Sequence, residues 1–205
     1  MPTARSGADL EVLLEQARCG DTESLGLLLD RYRNYLGFLA RGLIGGTLRG
    51  NLDASDLVQQ TFLEAHRDLP KFRGAGESEL AAWLRRILVH NVSQQAEYHD
   101  RLKRGRKQRM SLDELLDRSG RFVARVRSEL RDSPSTCAIK REQAVLLANA
   151  LACLPEDQRT SLEMHHLQGL PVPEVSRIMG RSLLSVTGLI YRGMKALREL
   201  LNSGD

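Results

Sequence analysis

A chain of 205 residues with a net charge of +4 and a pI near 9.2 is long enough for two small domains, and its mild basic excess suits a polyanionic partner without requiring one. Three scattered cysteines (Cys19, Cys137, Cys153), no CxxC pair, and adjacent rather than ligand-spaced His165 and His166 argue against a metal site and fit a reducing, cytoplasmic setting. The opening MPTARSGADLEVLL lacks the apolar core of a secretion signal, and no run approaches the ~20 apolar residues needed to span a membrane.

Aromatic residues make up only 4% of the chain, Leu is abundant and β-branched runs are scarce, so the expectation is an all-α fold. Leu10, Leu13, Leu14 and Ala17 recur at helical spacing up to Gly20. Asp21 or Thr22 can cap a second helix bearing Leu25, Leu28, Leu29, Tyr32, Leu36, Leu39 and Leu43, which Gly45-Gly46 is expected to break. Asp53 caps a third helix, with Asp56 in its first turn and Leu57, Val58, Thr61, Phe62 and Ala65 inward. Residues 70–76 read as a loop, and a fourth helix follows from about Glu77 to Tyr98 with Leu80, Trp83, Leu84, Ile87 and Leu88 inward.

Residues 101–109, RLKRGRKQR, hold six cations in nine positions. Such a tract is a solvated basic stretch or a contact for any polyanion. Residues 106–139 are charged and Ser-rich and read as a flexible interdomain linker, separating units at about 9–105 and 140–201. In the second unit Ala144, Leu147, Leu151 and Leu154 mark one helix, and Pro155 suits the first turn of the next, which carries Leu162 and Leu167.

The segment GLPVPEVSRIMGRSLLSVTGLIYRGMKALRELL (169–201) reads as two helices joined by a tight turn. Gly180 supplies a left-handed residue, and Ser182 caps a final helix with Val186, Leu189, Ile190, Met194 and Leu197 inward and Arg192, Lys195 and Arg198 in its second half. These are the ingredients of a helix-turn-helix DNA reader, and equally of an ordinary hairpin closing a bundle.

Three motifs in order then carry a family resemblance. LDASDLVQQTFLEAHRDLPKF (52–72) resembles the sigma-factor helix that docks on RNA polymerase, AAWLRRILVHNVSQQ (81–95) the helix that handles the melted promoter element, and LPEDQRTSLEMHHLQGLPVPEVSRIMGRS (154–182) the start of the second DNA-binding domain. The chain therefore resembles a bacterial sigma factor of the extracytoplasmic-function (ECF) group in the sigma-70-like family. The resemblance implies a region 2-like bundle and a region 4-like helix-turn-helix domain. Core RNA polymerase and promoter DNA would be its partners, with no cofactor, metal, membrane, small-molecule substrate or catalytic residue. An anti-sigma protein is a partner of many members, and nothing in this sequence identifies one.

The resemblance also implies residue roles. Asp56, Gln59 and Gln60 would meet the polymerase clamp. Arg85, Arg86, His90 and Asn91, read as the outer face of the fourth helix, would meet the minus-ten element and melted strand beside a base pocket at roughly residues 72–79. Arg101 and Arg104 would hold backbone nearby. Arg181, Ser182, Ser185, Thr187, Arg192 and Lys195 would meet the minus-thirty-five element. The chain departs from the family pattern at two places: the family commonly places a Lys and an Arg where this chain has Thr187 and Leu189, with Gly188 weakening the helix between them, and many relatives carry an acid where this chain has Gln95. Other readings are a stand-alone helix-turn-helix regulator, which would be a dimer on a palindromic site, and a degenerate sigma-like protein that binds polymerase without initiating. A helical nuclease lacks its motifs here.

Overall fold

The computed structural model describes residues 7–48, 53–74, 76–102, 111, 113–114, 117 and 137–202. Its elements are α1 (Gly7–Arg18), α2 (Thr22–Arg31), α3 (Arg33–Leu48), α4 (Ala54–Asp68), α5 (Glu77–Leu102), α6 (Cys137–Ala152), α7 (Glu156–Leu162), α8 (Val172–Met179) and α9 (Leu183–Asn202). No strand occurs among the described residues. Most of the expected linker, and Arg104 with it, lies outside them. The chain divides into two compact units, Met1–Arg109 and Met110–Asp205.

In the first unit, α1 packs on α2, while α3, α4 and α5 pack on one another. Its core is built from fully buried Leu10, Leu14, Leu28, Leu36, Leu39, Leu80, Leu84 and Leu88 together with Tyr35 and Phe38. Asp21 caps α2 by accepting from the Glu23 N–H at 3.1 Å. Asp53 caps α4 by accepting from the Ser55 N–H at 2.8 Å, as its position suggested. That backbone hydrogen bond holds the Asp53 carboxyl below its ordinary range.

Two boundaries differ from the sequence expectation. The helix read from Thr22 to Leu43 is broken at Tyr32, whose backbone N–H returns to Leu29 and Asp30, and a new helix starts at Arg33. Tyr32 is held there by burial and by donating its hydroxyl to the Glu77 carbonyl at 3.5 Å, a partner 45 residues away. Gly45-Gly46, in turn, does not stop α3, which runs on to Leu48. A glycine costs a helix only about 1 kcal/mol relative to Ala, and neighbouring turns can carry that.

In the second unit α9 crosses α7 closely at Gly193. A Cβ there would lie 3.0 Å from Leu162 Cδ1 and 3.3 Å from Gln158 Cβ, so the residue is small because the helices touch. Residues Glu163–Leu167 continue α7 as a wider, π-type turn. Pro155 stands just before α7 rather than within its first turn. The hairpin core is Met164, Val175 and Val186, with Leu170, Val172, Met179 and Ile190 against it.

Candidate nucleic-acid interface

The outer face of α4 is built by subtraction. Leu57, Val58, Thr61 and Ala65 are buried, which leaves Asp56, Gln59 and Gln60 exposed, as expected. Gln60 donates its amide to Glu64 at 2.8 Å, one turn on. Leu63 joins them at 68% exposure, a residue the sequence reading passed over. The signal was available: Leu63 is an apolar side chain off the apolar stripe of its own helix. Phe62, read as core, is only half-buried, with the Arg33 guanidinium 5.2 Å from its ring centre.

The loop between α4 and α5 is held by contacts from α1 and α5. Phe72 stacks on Trp83 with ring centres 4.9 Å apart, and the Arg18 guanidinium lies over the Phe72 ring, 5.4 Å from its centre. Arg18 also donates to the Phe72 carbonyl at 3.1 Å and to that of Gly74. Gly74 has no room for a side chain, since a Cβ would run into the Phe72 ring and stand 2.8 Å from Glu79 Cβ. The loop is thus shaped by α1 as well as by its own residues, and Trp83 is half-buried in that stack rather than sunk in the core.

On α5 the expected site residues separate. Arg86 and His90 are exposed, and His90 shares a 2.8 Å hydrogen bond with Gln94, so the outer face is Arg86–His90–Gln94 at successive turns. Arg85 and Asn91, expected on the same face, are buried at 4% and 3% exposure. Arg85 donates to the Tyr35 hydroxyl at 2.9 Å and lies over the same ring, which makes it an internal tie between α3 and α5. The Asn91 amide donates to the Thr61 hydroxyl at 3.3 Å, and Thr61 in turn donates to the Leu57 carbonyl at 2.7 Å. That chain satisfies polar groups that burial would otherwise penalise. Neither residue is available to DNA in this arrangement. Arg101 lies on the last turn of α5, and its side chain is outside what the structure describes.

In the hairpin, Gly180 has φ 62° and ends α8 as a left-handed residue, with the Arg181 N–H returning to the Ser176 carbonyl at 3.1 Å. The Ser182 hydroxyl accepts from the Ser185 N–H at 3.2 Å and caps α9. Arg181 is exposed and paired with Asp157 at the start of α7. Thr187 is exposed, with its hydroxyl donated to the Leu183 carbonyl at 2.9 Å. Arg192 and Lys195 are exposed, Ser185 is half-buried, and Leu189 is buried in the α9 stripe. The structure therefore brings an exposed, cation-bearing helix face out of a capped hairpin, the geometry by which a helix enters a DNA groove.

Two family models match the chain: Sigma-70 region 2 over residues 28–102 and Sigma-70, region 4 over residues 144–197. They meet the two helical units in order and together take in more than half the chain, which belongs to the sigma-70 family. The ECF RNA polymerase sigma-E factor of Haemophilus influenzae is 27% identical over 191 residues, 92% of this chain and 93% of the relative. The sigma-E factor of Escherichia coli K12 is 26% identical over 187 residues, 91% of each chain. Within the family the chain is thus of the ECF group. Among solved structures, CnrH in complex with the cytosolic domain of CnrY is similar at 22% identity, over 95% of this chain and 98% of that one, with a TM-score of 0.37.

Proposed function

We propose that this sigma factor directs transcription initiation by using its three exposed faces for three separate contacts. The face Asp56–Gln59–Gln60–Leu63 on α4 docks on core RNA polymerase: short polar side chains around one exposed leucine suit an interface with a small apolar centre and a hydrogen-bonded rim. Arg86 and His90 on α5, beside the clamped loop after Phe72, meet the minus-ten element and the melted strand, with Arg101 and Arg104 following on the backbone. The hairpin α8–α9 meets the upstream, minus-thirty-five element in the major groove. The chain brings promoter selection and duplex opening and no catalytic residue of its own. It acts in the cytoplasm, and among the described residues no helix is long and apolar enough to cross a membrane. The observation that carries this reading is the order of both sigma regions on one chain, each with its polar face turned outward.

Run-off transcription with core RNA polymerase on a library of genomic fragments tests it. Starts sharing paired upstream motifs are expected. They should be lost on deleting residues 140–205 and reduced by Arg86→Ala with His90→Ala. Leu63→Ser with Gln59→Ala should lower affinity for core polymerase about tenfold or more, an interface-anchor effect. Core binding without any starts would leave a degenerate sigma-like protein, and absence of both would return the chain to a stand-alone regulator.

A further inference from the structure

The exposed face of α9 is unusual for a DNA-reading helix in where its charge lies. Its N-terminal tip is apolar: Leu183 is 53% exposed and Leu184 84%. The polar groups around that tip each have a partner on the protein's own surface. Arg181 pairs with Asp157, the Ser182 hydroxyl caps the helix, and the Thr187 hydroxyl donates to the Leu183 carbonyl. Gly188 presents no side chain, and the Arg192 guanidinium folds back over it, 3.1 Å from where a Cβ would stand. The cations Arg192 and Lys195 are exposed farther along the same face. From Leu184 to Arg192 is eight residues, about 12 Å along a helix and close to the ~12 Å width of the major groove. With the apolar tip on the base edges, Arg192 comes within reach of the flanking phosphates, and Lys195, three residues farther on, follows along the backbone. From Leu183 to Gly188 the helix carries no guanidinium or amide side chain to make the paired hydrogen bonds that select guanine or adenine. What an apolar tip can recognise in the major groove is the C5 methyl group of thymine.

We propose that α9 selects its upstream element through thymine methyl groups received by Leu184, with Leu183 and Thr187 beside it, while Arg192 and Lys195 hold the phosphates. This rests on the second unit being the upstream DNA reader. It also gives a positive role to the departure at Thr187 and to the bare Gly188 beside it, while the other departure, Leu189, is spent on the buried stripe.

The test uses the full chain with core RNA polymerase. The upstream element is first selected from random duplex DNA; each thymine in it is then replaced by deoxyuridine, which removes the methyl and leaves base pairing intact. At one or two neighbouring positions the replacement is expected to weaken binding about fourfold, the effect of one buried methyl. Leu184→Ala should abolish the difference between thymine and uracil at those positions. The large exposure of Leu184 means that this variant keeps its fold, which a thermal melt checks. Equal binding of thymine and uracil everywhere would overturn the proposal, as would a discrimination that survives Leu184→Ala. So would an element of G·C pairs that loses affinity with 7-deazaguanine, while leaving the sigma-factor reading intact. Failure of the holoenzyme to enrich any upstream element would remove that reading and the proposal together.

Discussion

The helices α5 and α9 each carry cations and polar side chains on a long amphipathic frame, 26 and 20 residues respectively, yet they treat those side chains differently. In α9 the buried stripe is Val186, Leu189, Gly193, Leu197 and Leu201, and every polar residue stands off it. In α5 the buried arc includes Leu80, Ala81, Leu84, Leu88 and Val92, and also Arg85 and Asn91. The difference is one of partners. A buried polar group is tolerated where a neighbouring element offers it a matching atom, and α3 and α4 offer Tyr35 and Thr61. Position on the helix, not polarity, decides which way a side chain points.

The largest test of that contrast lies in two adjacent arginines. Arg85→Ala should destabilise the first unit by roughly 2–4 kcal/mol, since it leaves a cavity and removes a buried hydrogen bond to the Tyr35 hydroxyl. Arg86→Ala, on the exposed side of the same turn, should change stability by no more than about 0.5 kcal/mol and should reduce promoter opening. Denaturant melts and permanganate footprinting read the two effects separately. A stable Arg85→Ala protein defective only in opening would undo the contrast and return Arg85 to the DNA face.

How much of this could be read in the sequence follows from the same geometry. The all-helical frame, the caps at Asp21, Asp53 and Ser182, the turn at Gly180 and the exposure of Asp56, Gln59 and Gln60 rest on interactions within a few residues, and local spacing revealed them. Asn91 was legible too: Leu84, Leu88 and Asn91 are spaced i, i+4, i+7, so the helical period places it inward although its polarity suggests the outer face. Arg85 was harder, because it sits at the edge of the arc and its partner lies 50 residues away. The break at Tyr32 had no glycine or proline to announce it. The Arg18 clamp on the loop after Phe72 joins residues more than 50 positions apart and left no local signal.

Two glycines sharpen the one-sidedness of α9. Gly193 faces α7, and Gly193→Ala should cost about 1–3 kcal/mol by overpacking against Leu162. Gly188 faces outward against only the flexible end of Arg192, so Gly188→Ala should stabilise the helix by up to about 1 kcal/mol. Thermal unfolding of the two variants should move in opposite directions. A similar loss in both would mean that the outer face of α9 is packed against something.

A smaller effect is expected at Gly74, where the first unit depends on a loop rather than a helix face. Gly74→Ala must displace Phe72 from its stack on Trp83, losing an aromatic pair worth about 0.5–1.5 kcal/mol. Trp83 is the single tryptophan of the chain, so its emission should shift to the red with helicity unchanged. Unchanged emission would mean that the loop can reshape without disturbing the stack.

The smallest effect separates two acids three residues apart at the start of α4. Asp53 closes the helix by accepting from the Ser55 backbone, whereas Asp56 stands exposed on the proposed polymerase face. The Asp53 carboxyl is held below its ordinary value, so folding favours its ionised form. That contribution is complete above the unfolded carboxylate value near 3.9 and is lost as pH falls through the lower folded value. Asn caps about as well without titrating, so Asp53→Asn at neutral pH should cost only a few tenths of a kcal/mol, the helix-dipole share left after solvent screening. The gap between wild type and variant in melts run from pH 7 to pH 3 should therefore close in acid, with affinity for core polymerase at pH 7 unchanged. Asp56→Asn should do the reverse, weakening core binding with little change in the melt. If Asp53→Asn instead lowered core affinity as much as Asp56→Asn, the whole first turn of α4, rather than its outer face, would be the docking surface.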